Sequence, residues 1–152
     1  MHATKNTRII HAPLQKVYDA FTNPAALALW FAPGEMTAKV HNFNLQVGGG
    51  YEMSLFYPQS ESENRGKTSD KEDRYTARFL ELIPNKKIVE AIHFHSGDAA
   101  LRGEMIMEIL FEAIEESTKV TISFSNTPPG INPADNEKGT ELTLEKLALY
   151  VA

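Results

Sequence analysis

The sequence predicts an α+β domain: a curved antiparallel sheet of about seven strands around a long C-terminal helix, with two short helices after the first strand. Three observations carry this expectation. From Asn132 onward the chain has a helical start and helical spacing. Asn132 can cap, Pro133 suits the first helical position, where its missing N–H costs nothing, and Asp135 complements the helix dipole; Leu144, Leu147, Ala148 and Val151 then recur on one face. Upstream, most of residues 36–126 read as alternating segments joined by short turns, which connect antiparallel neighbours. Between the first strand and those segments lie two short stretches of helical period. A strongly twisted sheet can curl around one helix and bury its face.

In order, residues 4–11 read as the first strand, with Ile9 and Ile10 at its end. Pro13 opens a helix in which Leu14, Val17, Tyr18 and Phe21 share a face. Asn23 caps the next helix, Pro24 takes its first position, and Leu27, Trp30 and Phe31 share its apolar side until Ala32-Pro33-Gly34 ends it. Residues 36–45 alternate loosely. Gly48-Gly49-Gly50 is a turn, after which Tyr51, Met53, Leu55 and Tyr57 alternate. Pro58 to Asp73 is polar and charged and reads as a long loop. Strands follow at 74–83 and 87–95 around the turn Ile83-Pro84-Asn85-Lys86, and residues 96–102 read as irregular. Residues 103–115 carry the clearest strand signal, with Met105, Met107, Ile109, Phe111 and Ala113 on one side. After the turn Glu115-Glu116-Ser117, Val120, Ile122 and Phe124 alternate in the last strand.

Size and composition narrow the function. The 152 residues fit one domain, and 42% hydrophobic content is ordinary for a globular protein. The net charge of −5 and a longest basic run of only Lys86-Lys87 argue against nucleic-acid binding, which needs a basic surface. The absence of cysteine excludes disulfides, a thiol nucleophile and Cys-ligated metal, and fits a reducing, cytoplasmic setting. No stretch resembles a signal peptide or a membrane span.

A set of residues spread along the chain then resembles one family: Ala12-Pro13, Val17-Tyr18, Phe21-Thr22, Pro24, Leu27, Trp30, Pro33-Gly34, Gly48-Gly49 with Tyr51, the run Glu81 to Ile88, Thr118 to Thr121, and Gly139, Leu144 and Leu147. Their order and spacing resemble the START-like (Bet v 1-like, SRPBCC) superfamily, in the branch named after the activator of Hsp90 ATPase. The resemblance implies the helix-grip fold and a cavity between sheet and C-terminal helix. Relatives use such cavities for lipids, sterols, hormones or polyketides, and some are cyclases or aromatases. The resemblance implies no cofactor, and no catalytic residue set transfers to this sequence. One position departs: relatives often carry Gly-Trp early in the last helix, and here the pair is Gly139-Thr140. The missing indole enlarges the space beneath the helix or is replaced by neighbouring side chains.

The residues suited to line a cavity for a small hydrophobic or amphipathic molecule are Trp30, Met36, Tyr51, Met53, Tyr75, Met107 and Phe124, since thioethers adapt in shape and tyrosines add polar tips. His93 and His95, two apart on a strand, face the same way and are candidate polar anchors; a shared metal would need a third ligand such as His41, and no metal site is expected. Among carboxylates, Glu52, Glu81, Glu104 and Asp98 are acid–base candidates only if buried. Gly66-Lys67-Thr68 lacks the first glycine and the flanking strand of a phosphate loop. Leu142 and Leu149 form a second stripe on the last helix, suited to packing against a loop or to a homodimer contact. The expected function is ligand binding; the alternatives are a cyclase- or hydrolase-type enzyme using the same cavity, or a chaperone-type interaction module.

Overall fold

The computed structural model describes residues 4–32, 34–57 and 72–152. Its elements are β1 (Thr4–Ile10), α1 (Leu14–Thr22), α2 (Pro24–Trp30), β2 (Thr37–Asn44), β3 (Gly50–Phe56), β4 (Glu72–Ile83), β5 (Lys87–Phe94), a single 3-10 turn (Ala99–Leu101), β6 (Met105–Ile114), β7 (Ser117–Ser125) and α3 (Pro133–Val151). The strands form one antiparallel sheet in the order β1-β7-β6-β5-β4-β3-β2. It is open, and the helices hold its two edges. Asn6 donates to the Glu137 carbonyl and Asn136 to Thr4 Oγ1, which ties β1 to the start of α3; α2 packs on β2. The expected helix-grip architecture is present.

Local chemistry explains the helix boundaries. Asn23 Oδ1 accepts from the Ala25 and Ala26 amides at 2.9 and 3.2 Å, so one side chain satisfies two amides at the head of α2. Pro24 has a second effect. It cannot donate to the Ala20 carbonyl at the end of α1, and the Trp30 indole donates there instead, at 2.9 Å. The indole also packs edge-on against Phe21, with centroids 4.6 Å apart, so a turn of α1 and the end of α2 are locked together. At α3, Asn132 Oδ1 accepts from the Asp135 amide, as its sequence position suggested.

Two boundaries differ from the sequence reading. β4 begins at Glu72, not at residue 74. Asp73 is buried on the inner face, accepts from the Tyr57 hydroxyl, and pairs with Leu55, so the ladder continues through residues whose polarity reads as loop. The rest of the expected loop, residues 58–71, including Gly66-Lys67-Thr68, lies outside the described residues. In the stretch 96–102, the Asp98 carboxylate accepts from the Ala100 amide and caps the 3-10 turn.

The inner face of the sheet and the three helices enclose one core. The alternation of Met105, Met107, Ile109 and Phe111 is buried as expected, while Ala113 runs past the core edge and is exposed. α3 turns Thr140, Thr143, Leu144, Leu147 and Val151 inward. Its backbone lies close to β1, α1 and α2.

Candidate functional site

A residue's place on the inner face follows from its parity in the strand. On β5 Ile88, Glu90, Ile92 and Phe94 point inward; on β4 Asp73, Tyr75, Ala77 and Phe79; on β3 Tyr51, Met53 and Leu55. Glu90 is thus a carboxyl planted in an apolar row. Across the sheet it stands level with Phe79 on β4 and Met107 on β6, and Met107 is level with Phe124, which is level with Thr4. Glu90 is 4% exposed.

The Tyr51 hydroxyl reaches over β4 and donates to Glu90 Oε1 at 2.7 Å. Tyr51 is itself held by rings. Phe43 stacks on it at 5.5 Å, and Phe79 and Tyr75 lie at 5.8 and 6.4 Å. Phe43 reaches this position through a bulge between His41 and Asn44, where Asn42 takes a left-handed φ of 52°; the extra residue turns position 43 inward. Phe94 extends the ring network by packing against Tyr75.

Electrostatics follow from burial. Loss of water pushes the Glu90 carboxyl up to about 7, against the opposing pull of the Tyr51 hydrogen bond. Burial and the nearby Glu90 charge both raise the Tyr51 and Tyr75 phenols. Among the described residues the inner face carries no Lys, Arg or His close enough to act on Glu90, and the half-buried Lys146 of α3 reaches the Met36 carbonyl at 3.4 Å instead. Desolvation lowers the Lys146 ammonium.

The residues suggested as cavity walls divide. Tyr51, Met53, Tyr75, Met107 and Phe124 come together on the inner face around Glu90. Trp30 belongs to the α1–α2 junction and Met36 to the segment before β2. The two histidines do not join them. Parity carries His93 to the outer face, where it is exposed and 3.4 Å from Glu104; His95 is on the same face, with Nε2 2.5 Å from Thr76 Oγ1. They share a face, as expected, but it is not the face of the core, so the acidic groups among the inner residues are Glu90 and Asp73, and neither histidine joins them. Among the described residues no cluster of His, Asp and Glu has metal-site geometry.

The other suggested carboxylates are surface groups. Arg74 donates to Glu52 and holds its carboxyl below the usual range; Glu81 pairs with Lys87, and Glu104 with Arg78. Glu90 was the carboxylate missed. Its signal lies in the sequence as Ile88-Val89-Glu90-Ala91-Ile92, where the acid takes the apolar parity. The leucine stripe of α3 is also divided: Leu142 is half-buried beside Gly34, and Leu149 is 78% exposed. Two surface depressions lie outside the sheet–α3 interface. One crosses the outer face near Val89, Glu108 and Ser123, and the other lies between α1 and the end of α3.

A seven-stranded antiparallel sheet gripping a C-terminal helix defines a START-like, SRPBCC-type protein. A profile of the family described as "Activator of Hsp90 ATPase homolog 1-like protein" matches residues 11–152, and the chain belongs to that family. Solved structures agree. Protein CV1439 from Chromobacterium violaceum is 27% identical with a TM-score of 0.85, the match covering 99% of this chain and 98% of that one. A protein from Arthrobacter aurescens is 15% identical with a TM-score of 0.81, covering 98% and 85%. DynU16, described as a putative protein in the dynemicin biosynthetic locus, is 16% identical with a TM-score of 0.68, covering 97% of this chain and 46% of its own. No curated protein matches the chain. The family commonly binds hydrophobic ligands. Among the described residues no helix is long and apolar enough to cross a membrane.

Proposed function

We propose that the protein binds a small amphipathic molecule between the inner sheet face and α3, with Glu90 and Tyr51 as its polar anchor. The observation that supports this most is the burial of Glu90 among apolar side chains with Tyr51 as its one hydrogen-bond partner among the described residues. A purely structural core gains nothing from such a group, since burying a carboxyl without full hydrogen bonding costs free energy. The surrounding Met53, Met105 and Met107 can shift to admit a guest, because thioether chains repack cheaply. Thr140 on α3, where relatives often carry tryptophan, leaves the helix with a short side chain toward the sheet.

Native mass spectrometry of the purified protein tests this reading. A co-purifying mass, lost from the Glu90→Leu variant, is the expected result. A wild-type protein that carries no adduct and takes up no amphipathic probe would sink it.

A second reading is acid–base catalysis in the same place, favoured by a carboxyl held near 7, where it can both give and take a proton at neutral pH. Turnover of a bound carbonyl compound, abolished by Glu90→Gln with binding retained, would establish it.

A further inference from the structure

Among the described residues the buried acid has no buried base to answer it. The titratable groups facing Glu90 are Tyr51 from β3 and Tyr75 from β4, both weak acids that its charge raises further. Asp73, on the same inner face of β4, adds acid and not base, and is bonded by Tyr57. From β6 its neighbour is Met107, and the inward residues of α3 are uncharged. Lys146 is directed to the Met36 carbonyl. Among the described residues nothing supplies the partner that would make its ionised form stable.

The rings around it have a matching character. Phe43, Tyr51, Phe79 and Tyr75 form a continuous set with centroids 5.5 to 6.4 Å apart, gathered around the Tyr51–Glu90 hydrogen bond. Aromatic faces are electron-rich and attract cations, and the attraction grows as water is excluded. An anion would be repelled by the ionised Glu90.

We infer that the group this site takes is an organic cation: an amphipathic amine whose ammonium head pairs with Glu90 beside Tyr51 and Tyr75, and whose apolar tail lies against Met53, Met107 and Phe124. This deepens the proposed ligand-binding function and rests on it. The ammonium supplies the missing countercharge and donates to the carboxylate. A neutral alcohol of the same length offers a hydrogen bond but no charge.

Three probes of equal length separate the cases: 4-phenylbutylamine, 4-phenylbutanol and 4-phenylbutyrate, titrated into the full chain by calorimetry. The amine is expected to bind at least about tenfold more tightly than the alcohol near pH 8, with the carboxylate weakest. The amine's advantage is expected to grow as pH rises through about 7, because Glu90 ionises there while the amine stays charged. In Glu90→Gln the advantage disappears while alcohol binding persists. The pH series on the wild-type protein gives the same readout without a variant, should Glu90→Gln fold poorly. Alcohol and amine binding equally well would overturn the amine assignment and leave the ligand-site reading standing. An amine preference that survives in Glu90→Gln, or that does not change with pH, would overturn it too. Failure of all three probes to bind would overturn this inference together with the site on which it rests.

Discussion

The Tyr51 hydroxyl donates to Glu90 Oε1 at 2.7 Å, across the intervening strand β4. This one bond joins the two halves of the inner face, β2 to β4 with the ring set around Tyr51, and β5 to β7 with Glu90. It is also the polar contact on which the proposed site turns, and its protonation state couples the site to stability.

Stability should therefore fall as pH rises from about 4.5 to about 7. The sign follows from proton counting. In the fold the Glu90 carboxyl is pushed from 4.5 up to about 7, so between those values the folded protein holds a proton that the unfolded chain has released. Stability is thus greatest below the lower value, declines through the window, and levels off above the higher one. The loss attributable to Glu90 is about 3 kcal/mol, at roughly 1.36 kcal/mol per pH decade. Urea unfolding of wild type and Glu90→Gln across this range checks it: the difference between the two curves should carry the slope, and parallel curves would refute the assignment.

Tyr51→Phe keeps the ring against Phe43 and removes the only hydrogen bond that Glu90 makes among the described residues. The expected cost is about 1–3 kcal/mol near neutral pH. Because the lost bond favoured the ionised form, the midpoint of the pH-dependent decline should also move upward. A loss of stability with no change in that midpoint would mean that the hydroxyl stabilises the fold without acting on the ionisation of Glu90.

Parity explains how much of this was legible in the sequence. The order of elements, the caps at Asn23 and Asn132, and the grouping of Tyr51, Met53, Tyr75, Met107 and Phe124 all follow from period and local chemistry, and all appear in the fold. Glu90 is hard to read from the sequence because a lone acid among apolar residues looks like an interruption of a strand; only its even spacing from Ile88 and Ile92 places it inside. The same count sends His93 outward, against its expected role as a polar anchor. The bulge at Asn42 that aims Phe43 at Tyr51 has no sequence signal beyond the tolerance of asparagine for positive φ. Asp73 reads as loop because charge dominates its neighbourhood, while its partner Tyr57 sits at the end of the adjacent strand, sixteen residues away and beyond the reach of local pattern.

Trp30→Phe tests the junction of α1 and α2. The smaller ring can keep part of the packing against Phe21 but has no N–H for the Ala20 carbonyl, which Pro24 cannot serve. The expected loss is about 2 kcal/mol, from an unsatisfied buried carbonyl together with a small cavity. If the indole mattered only as bulk, Pro24→Ala, which restores an amide to position 24, would leave the Trp30→Phe defect unchanged. If the hydrogen bond matters, the double variant should recover part of the loss.

Gly50 shows where the sheet tolerates no side chain. It opens β3 opposite Arg78, and a Cβ built on it would fall 1.9 Å from the Ala77 carbonyl oxygen, inside any real contact distance. The obstacle is backbone of the adjacent strand and not a side-chain tip, so it cannot swing aside. Gly50→Ala should therefore push β3 off β4 at this end, at a cost on the order of 3 kcal/mol or more. Hydrogen exchange gives the location: amides of β2 and β3 should lose protection first, while those of β6 and β7 keep theirs, because the β1-β7-β6-β5 half lies on the far side of β4. The same displacement moves Tyr51, next in sequence, away from Glu90. The variant should consequently show the shifted pH midpoint of Tyr51→Phe as well as its own loss of stability, and a Gly50→Ala protein with wild-type pH dependence would separate the strand's packing from the site.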